Sequence, residues 1–152
     1  MRIKEFRHAL PLALNEKFAR LKIQKFSTDI AVPWKHFRKM LTVYRDPLEK
    51  SALEYVLFGH VGDGHVHVNV FPRDEQEQVS TRNIFKDFCA EAIRLGGTVS
   101  AEHGIGKIKR EYLEMMFGAD AIRQMAALKR QLDTNGIFNL DNMFAKEYMA
   151  HG

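Results

Sequence analysis

Leu10, Leu14, Phe18 and Leu21 recur at spacings of four, four and three, which is one face of a helix. Pro11 fits that helix only in its first turn, where no backbone donor is needed. Asp29, Ile30 and Val32 read as a short strand that Pro33 ends. Trp34, Phe37, Leu41 and Tyr44 mark a second helix, and Arg45-Asp46-Pro47 predicts its stop. Tyr55-Val56-Leu57-Phe58 is rich in strand formers and leads through Gly59-His60 into the turn signal Val61-Gly62-Asp63-Gly64. Residues 65–71 alternate with a period of two, and Pro72 closes that strand. Val79, Ile84, Phe85, Phe88, Cys89, Ala92 and Leu95 predict a long amphipathic helix that Gly96-Gly97 ends. Thr98-Val99-Ser100 reads as a short strand. The remainder is helical, with Ile122, Met125, Leu128 and Leu132 on one face, up to Asp133-Thr134-Asn135-Gly136.

From Asp29 to Ser100 the order is strand, helix, strand, strand, helix, strand, the ferredoxin-like order. The predicted fold class is α+β: an antiparallel sheet with helices on one face, followed by C-terminal helices. The other sheet face is expected to stay open for a ligand or a second domain. A length of 152 residues, 45% of them hydrophobic, suits one globular domain and is too apolar for disorder. No internal repeat is visible, and no apolar run approaches the roughly 18 residues of a membrane span. The first residues lack the apolar core of a secretory signal, and the lone Cys89 excludes a disulfide framework and a multi-cysteine zinc site. A reducing, cytoplasmic setting is the expectation. The net charge of +4 comes from 23 basic and 19 acidic residues that are well mixed, with no block of the kind that tracks nucleic acid.

The 65–71 strand has two chemically distinct faces. Val66, Val68 and Val70 point one way, and His65, His67 and Asn69 the other. If residues 61–64 form the turn, His60 lies opposite His65 and on the same side as His67. Two imidazoles brought together in this way chelate a divalent cation but leave the site short of an anionic ligand. Glu102-His103-Gly104 follows the last strand and supplies a hard oxygen beside a titratable base. Gly104 and Gly106 carry no side chains, so a flat ligand can approach the backbone there. Arg7 and Lys25 offer cations for a carboxylate. Cys89 and the methionines read as packing residues. The plain alternatives are a solvated strand face, an ordinary loop and a solvated basic helix. Three histidines and an asparagine within residues 60–69 argue against the first of these.

Three motifs, Gly59-His60-Val61-Gly62-Asp63-Gly64-His65-Val66-His67-Val68-Asn69, residues 96–107 with Glu102-His103-Gly104-Ile105-Gly106-Lys107, and Leu132-Asp133-Thr134-Asn135-Gly136-Ile137-Phe138-Asn139, together resemble the C-terminal domain of FAD-linked oxidases. That family includes D-lactate dehydrogenases, the glycolate oxidase flavin subunit and D-2-hydroxyglutarate dehydrogenase. The resemblance implies a divalent metal, zinc first among the choices, bound by His60, His67 and Glu102. It implies His103 as the general base, Asn69 and Arg7 as substrate contacts, and Lys25 as a second basic contact. It further implies FAD, with Gly104, Gly106 and Asn139 nearest to it, and hydride transfer from the α-carbon of a 2-hydroxy acid to the flavin. The family commonly has Asn where His65 stands, so this face carries an extra imidazole. Asp133-Thr134 and Asn139-Leu140-Asp141-Asn142 also depart from the usual Asp-Pro and Asn-Pro-Gly-Lys.

The family's FAD-binding domain has no counterpart in the 152 residues. The expectation is a cap-domain fragment or split subunit that is inactive alone, pairs with an FAD-binding domain or subunit, and forms a homo- or hetero-oligomer. A peripheral place at the inner membrane is compatible with this. Two other readings compete. One is a non-catalytic metal-binding or interaction module from a truncated gene. The other is a histidine-triad nucleotide hydrolase, to which residues 65–71 are similar, although Asn69 replaces the third histidine and the pattern leaves His60 and Glu102 unexplained.

Overall fold

The computed structural model describes residues 3–23 and 25–149, without the side chains of residues 3, 4, 6 and 7. The chain runs α1 (Ile3–Leu21), β1 (Phe26–Ser27), β2 (Ile30–Ala31), α2 (Trp34–Lys50), β3 (Tyr55–Phe58), β4 (His65–Val70), α3 (Glu75–Arg94), α4 (Arg110–Leu132) and α5 (Lys146–Met149). β4 is central. β3 pairs antiparallel along one edge, with Phe58 opposite His67. β1 and β2 pair along the other edge in one continuous register, Phe26 opposite Val70 and Ile30 opposite Val66. The predicted last strand is reduced to a single bridge, Thr98 to Ala31, on the outer side of β2. The resulting order, β3, β4, β1/β2, then Thr98, is the ferredoxin-like arrangement on an α+β fold.

The valines of β4 face α2 and α3, as their period-two spacing requires. Phe37, Met40, Tyr44 and Leu48 of α2 and Phe85, Phe88, Cys89 and Ala92 of α3 bury against Val66, Val68 and Val70. Burial pushes the Cys89 thiol up to about 12, which fits a packing role. Asp74 caps α3 by accepting the Glu77 N–H at 2.8 Å.

The opposite sheet face is not open, contrary to expectation. All six residues of β4 are buried. Leu14 and Phe18 of α1 pack there with Phe71, Val56 and Phe58, and the Phe18 and Phe71 rings stack at 4.5 Å. The i, i+4 pair on α1 needs an apolar partner, and Phe71, on the histidine face by alternation, supplies it.

Several boundaries differ from the sequence reading. Pro11 lies in the middle of α1, and Leu10 and Leu21 are exposed. α2 continues through Pro47 to Lys50, because Leu48 is fully buried on the same face as Tyr44 and core packing outweighs one lost backbone donor. α4 is kinked at Gly118. Ile122 packs with Leu113, Ala126 and Phe144, while Leu128 and Leu132 are exposed together with Ile137, Phe138 and Leu140.

The hairpin that carries the histidines depends on Gly64. It closes a short turn at Val61–Asp63 with φ +64°, and an added Cβ would strike the Val32 carbonyl oxygen. Gly64→Ala is expected to destabilise the chain by at least about 2 kcal/mol, from left-handed strain plus the collision. Urea unfolding would measure this, and an unchanged midpoint would refute it.

Candidate active site

Closure of the hairpin brings His60 over His65. The His65 N–H donates to the His60 carbonyl at 3.2 Å, and the two rings stack at 5.9 Å. β4 then places His67 two residues along on the same face, 4.5 Å from the His65 ring. The third component arrives from the 100–103 turn. Glu102 Oε1 lies 2.9 Å from His60 Nε2 and 3.7 Å from His65 Nδ1, and its Oε2 lies 3.7 Å from His67 Nε2. The His103 ring is 5.3 Å from that of His67. Donor atoms of His67, Glu102 and His103 lie within 4.8 Å of one another, as do those of Asp29, His65 and His67.

A break in the β1–β2 edge sets the orientation of His67. At Thr28 the N–H still donates to the Val68 carbonyl at 3.1 Å, but the Val68 N–H turns to the Thr28 hydroxyl at 2.9 Å. The Thr28 carbonyl, released from the ladder, accepts from His67 Nδ1 at 2.8 Å. A carbonyl oxygen only accepts, so a proton sits on Nδ1, and Nε2 is the ring atom that faces Glu102. This is the arrangement that readies an imidazole for a metal. Thr28→Val keeps the shape but strands the buried Val68 N–H. It is expected to cost about 1–3 kcal/mol in thermal unfolding, and a loss below that range would show that the hydroxyl is dispensable.

Asp29 organises the Glu102-His103 turn. Its carboxylate accepts the backbone N–H of Glu102 at 3.1 Å and of His103 at 2.9 Å, the Ser100 hydroxyl at 2.9 Å and the Lys109 ammonium at 2.7 Å. Burial opposes its ionisation, but Lys109, the His103 N–H, Ser100 and the Glu102 N–H outweigh burial and hold it far below the usual carboxylate range. With both N–H groups turned inward, the two side chains project toward the histidines. His65, beside Asp29 and fully buried, is held below the ordinary imidazole pKa by burial and by His67, against the pull of Glu102 and Asp29.

Asn69, next on the same face, is 1% exposed, and its amide Nδ2 has no hydrogen-bond partner among the described residues. An unpaired buried amide at a polar site fits a ligand contact. A cavity of about 520 Å³ opens beside His103 and is lined by Lys25, Arg82, Gly104, Gly106 and Lys107 among others. Its cations suit an anionic ligand. Lys25 is exposed there and donates to Asn15 Oδ1 at 3.2 Å. Asn139 is not brought to this cavity. It lines another, formed with Asp133, Lys129 and Phe144. Arg7 lies in α1, but its side chain falls outside the described residues.

Sequence reasoning placed Asp29 and Ser100 only in strands and passed over Thr28 and Lys109. Partners of Asp29 lie 71 to 80 residues away, and no periodic or spacing signal links them.

The donor set of His60, His67 and Glu102 suits a divalent cation. The fold and this cluster together define an α+β domain that carries a candidate cation site. Residues 2–142 match the family pattern described as FAD linked oxidases, C-terminal domain. The chain belongs to that family. It is 37% identical over 133 residues to the glycolate oxidase subunit GlcD of Bacillus subtilis, covering 85% of this chain and 28% of that protein. It is 34% identical over 119 residues to the mitochondrial D-lactate dehydrogenase [cytochrome] of Kluyveromyces lactis, covering 78% and 20%. It is 38% identical over 100 residues to the D-2-hydroxyglutarate dehydrogenase of Stutzerimonas stutzeri, covering 60% and 21%. The chain thus spans well under a third of the length of these relatives. No described helix is long and apolar enough to cross a membrane.

Proposed function

We propose that this chain is the substrate- and metal-binding part of an FAD-dependent dehydrogenase of 2-hydroxy acids. The observation that carries this reading is the convergence of Glu102 on His60 and His67, with His103 adjoining, from segments distant in sequence. The names of the relatives support the substrate class, since glycolate, D-lactate and D-2-hydroxyglutarate are all 2-hydroxy acids.

His60 Nε2, His67 Nε2 and the Glu102 carboxylate would hold a divalent cation, zinc by preference. Such a cation lowers the pKa of a bound hydroxyl and neutralises a carboxylate. Asn69 Nδ2 is free to donate to the substrate carboxylate, and Lys25 and Arg7 would add positive charge around it. His103 removes the hydroxyl proton as the α-carbon hydride leaves. FAD would supply the acceptor for that hydride. Gly104 and Gly106 leave the cavity wall open next to His103, since an added Cβ at either meets nothing within 4 Å. The dinucleotide would be held mainly by an FAD-binding domain or subunit outside these 152 residues, with Asn139 at most a peripheral contact. The exposed apolar side chains at 128, 132, 137, 138 and 140 offer that partner a surface. Alone, the chain would not oxidise a hydroxy acid.

Elemental mass spectrometry of the purified chain tests the site. About one divalent metal per chain, lost in His60→Ala/His67→Ala, is expected. A wild-type chain without metal after exposure to zinc would overturn the metal assignment.

A further inference from the structure

The cavity of about 520 Å³ beside His103 is larger than the smallest 2-hydroxy acids need. The heavy atoms of lactate, at roughly the 30 Å³ each that a water takes in the liquid, fill about a third of it. The cavity meets the candidate site at two points. His103 lines it, and so does Ser27, which stands opposite Asn69 in the β1–β4 register. A ligand with its hydroxyl at His103 and its carboxylate at Asn69 therefore has the rest of this space beside it.

The charges on the cavity wall are unevenly partnered. Lys109 and Asp29 satisfy one another at 2.7 Å, and Lys25 donates to Asn15. Arg82 has neither an ion pair nor a hydrogen bond among the described residues. Elsewhere Arg45, Arg73, Arg94 and Arg123 each close on a nearby carboxylate. Arg82 has none on its own helix, because its neighbours one turn away in α3 are Gln78, Val79, Phe85 and Lys86. Its guanidinium carbon lies over the Phe26 ring, 5.5 Å from the centre. Phe26 is buried and braced by Phe85 at 6.4 Å, so the platform under Arg82 is fixed. A ring supplies no oxygen acceptor, and the planar fork of N–H donors stays available for one.

We propose that Arg82 is a specificity-determining residue that holds a second carboxylate at the far end of the substrate. The site then prefers 2-hydroxydicarboxylic acids to hydroxy acids with neutral side chains. This rests on the hydroxy acid reading above and narrows it. A carboxylate accepts two parallel N–H bonds from a guanidinium fork. Lys107 adds positive charge on the same wall, against Glu111 as the acid there besides Asp29. Phe26 and Ile105 give the wall an apolar part that suits the methylenes between the two carboxylates.

Without FAD the acids are not turned over, so they serve directly as probes. Calorimetric titration of the full chain, equilibrated with zinc, compares D-2-hydroxyglutarate with D-2-hydroxypentanoate, which has the same chain length and a single carboxylate. The wild-type chain is expected to favour the dicarboxylate by about tenfold or more. Arg82→Gln, at an exposed helix position that the fold tolerates, should abolish that preference and leave D-2-hydroxypentanoate binding unchanged. In the wild-type chain the NMR signal of Arg82 Nε–H should shift with the dicarboxylate and not with the monocarboxylate. Equal affinity for the two acids, or a preference that survives Arg82→Gln, would overturn the Arg82 proposal and leave the hydroxy acid reading standing. A loss shared equally by both acids in the variant would also overturn it. A wild-type chain that binds neither acid would refute both readings together.

Discussion

Replacing His103 with alanine in the FAD-loaded assembly is expected to lower kcat by about 10²- to 10⁴-fold, the usual contribution of a positioned general base. KM should change little, because His103 is assigned to the hydroxyl proton and the carboxylate is assigned to Asn69, Lys25 and Arg7. The His103 ring sits 5.3 Å from that of His67 and lines the cavity, outside the proposed ligand set of His60, His67 and Glu102. Its removal should therefore leave metal content at the wild-type level. Steady-state kinetics with D-lactate or glycolate, paired with metal analysis, would read both quantities. If His103→Ala lost the metal along with activity, the ring would be a ligand and the base would have to be sought elsewhere.

The second large effect is expected at Asp29. Asp29→Ala removes the partner of Lys109 and the acceptor of two backbone N–H groups at once. Breaking a buried ion pair from one side costs about 3–5 kcal/mol. For a chain of this size that lowers the melting temperature by roughly 6–20 °C. Removing both charges, as in Asp29→Leu/Lys109→Met, should recover part of the loss, because no charge is left unpaired. Recovery should stay incomplete, since the Glu102 and His103 N–H groups still lack an acceptor. Metal affinity should fall in both variants, because the turn that aims Glu102 at the histidines is released. A double variant with wild-type metal affinity would show that the turn holds its shape without Asp29.

The local elements were legible because their signals are local. Alternation from His65 to Phe71 marked β4 and assigned the valines to one face and the histidines to the other. The i, i+3, i+4 pattern from Val79 to Leu95 marked α3, and Gly96-Gly97 marked its end, observed at Arg94. A four-residue turn at 61–64 puts His60 opposite His65, and the His65 N–H meets the His60 carbonyl in that register. The motifs were specific enough to point to the family, and that assignment stands on the match over residues 2–142.

Tertiary contacts decided the rest. α2 passes Pro47 because Leu48 has a core position to fill, a benefit that no local propensity registers. The histidine face is covered because Leu14 and Phe18 find Phe71, just past the end of β4 and more than fifty residues away. Leu128 and Leu132 follow the Gly118 kink together with Ile122, yet Ile122 alone of the three is buried, because Leu113, Ala126 and Phe144 pack around it. The sequence by itself determined which residues carry chemistry and which strand face they occupy, because side-chain type and β periodicity are written residue by residue. Only the folded chain determined that Asp29 binds the Glu102-His103 turn and that Thr28 sets the tautomer of His67. Those contacts join segments about 40 to 80 residues apart, and they exist only once the sheet has brought the segments together.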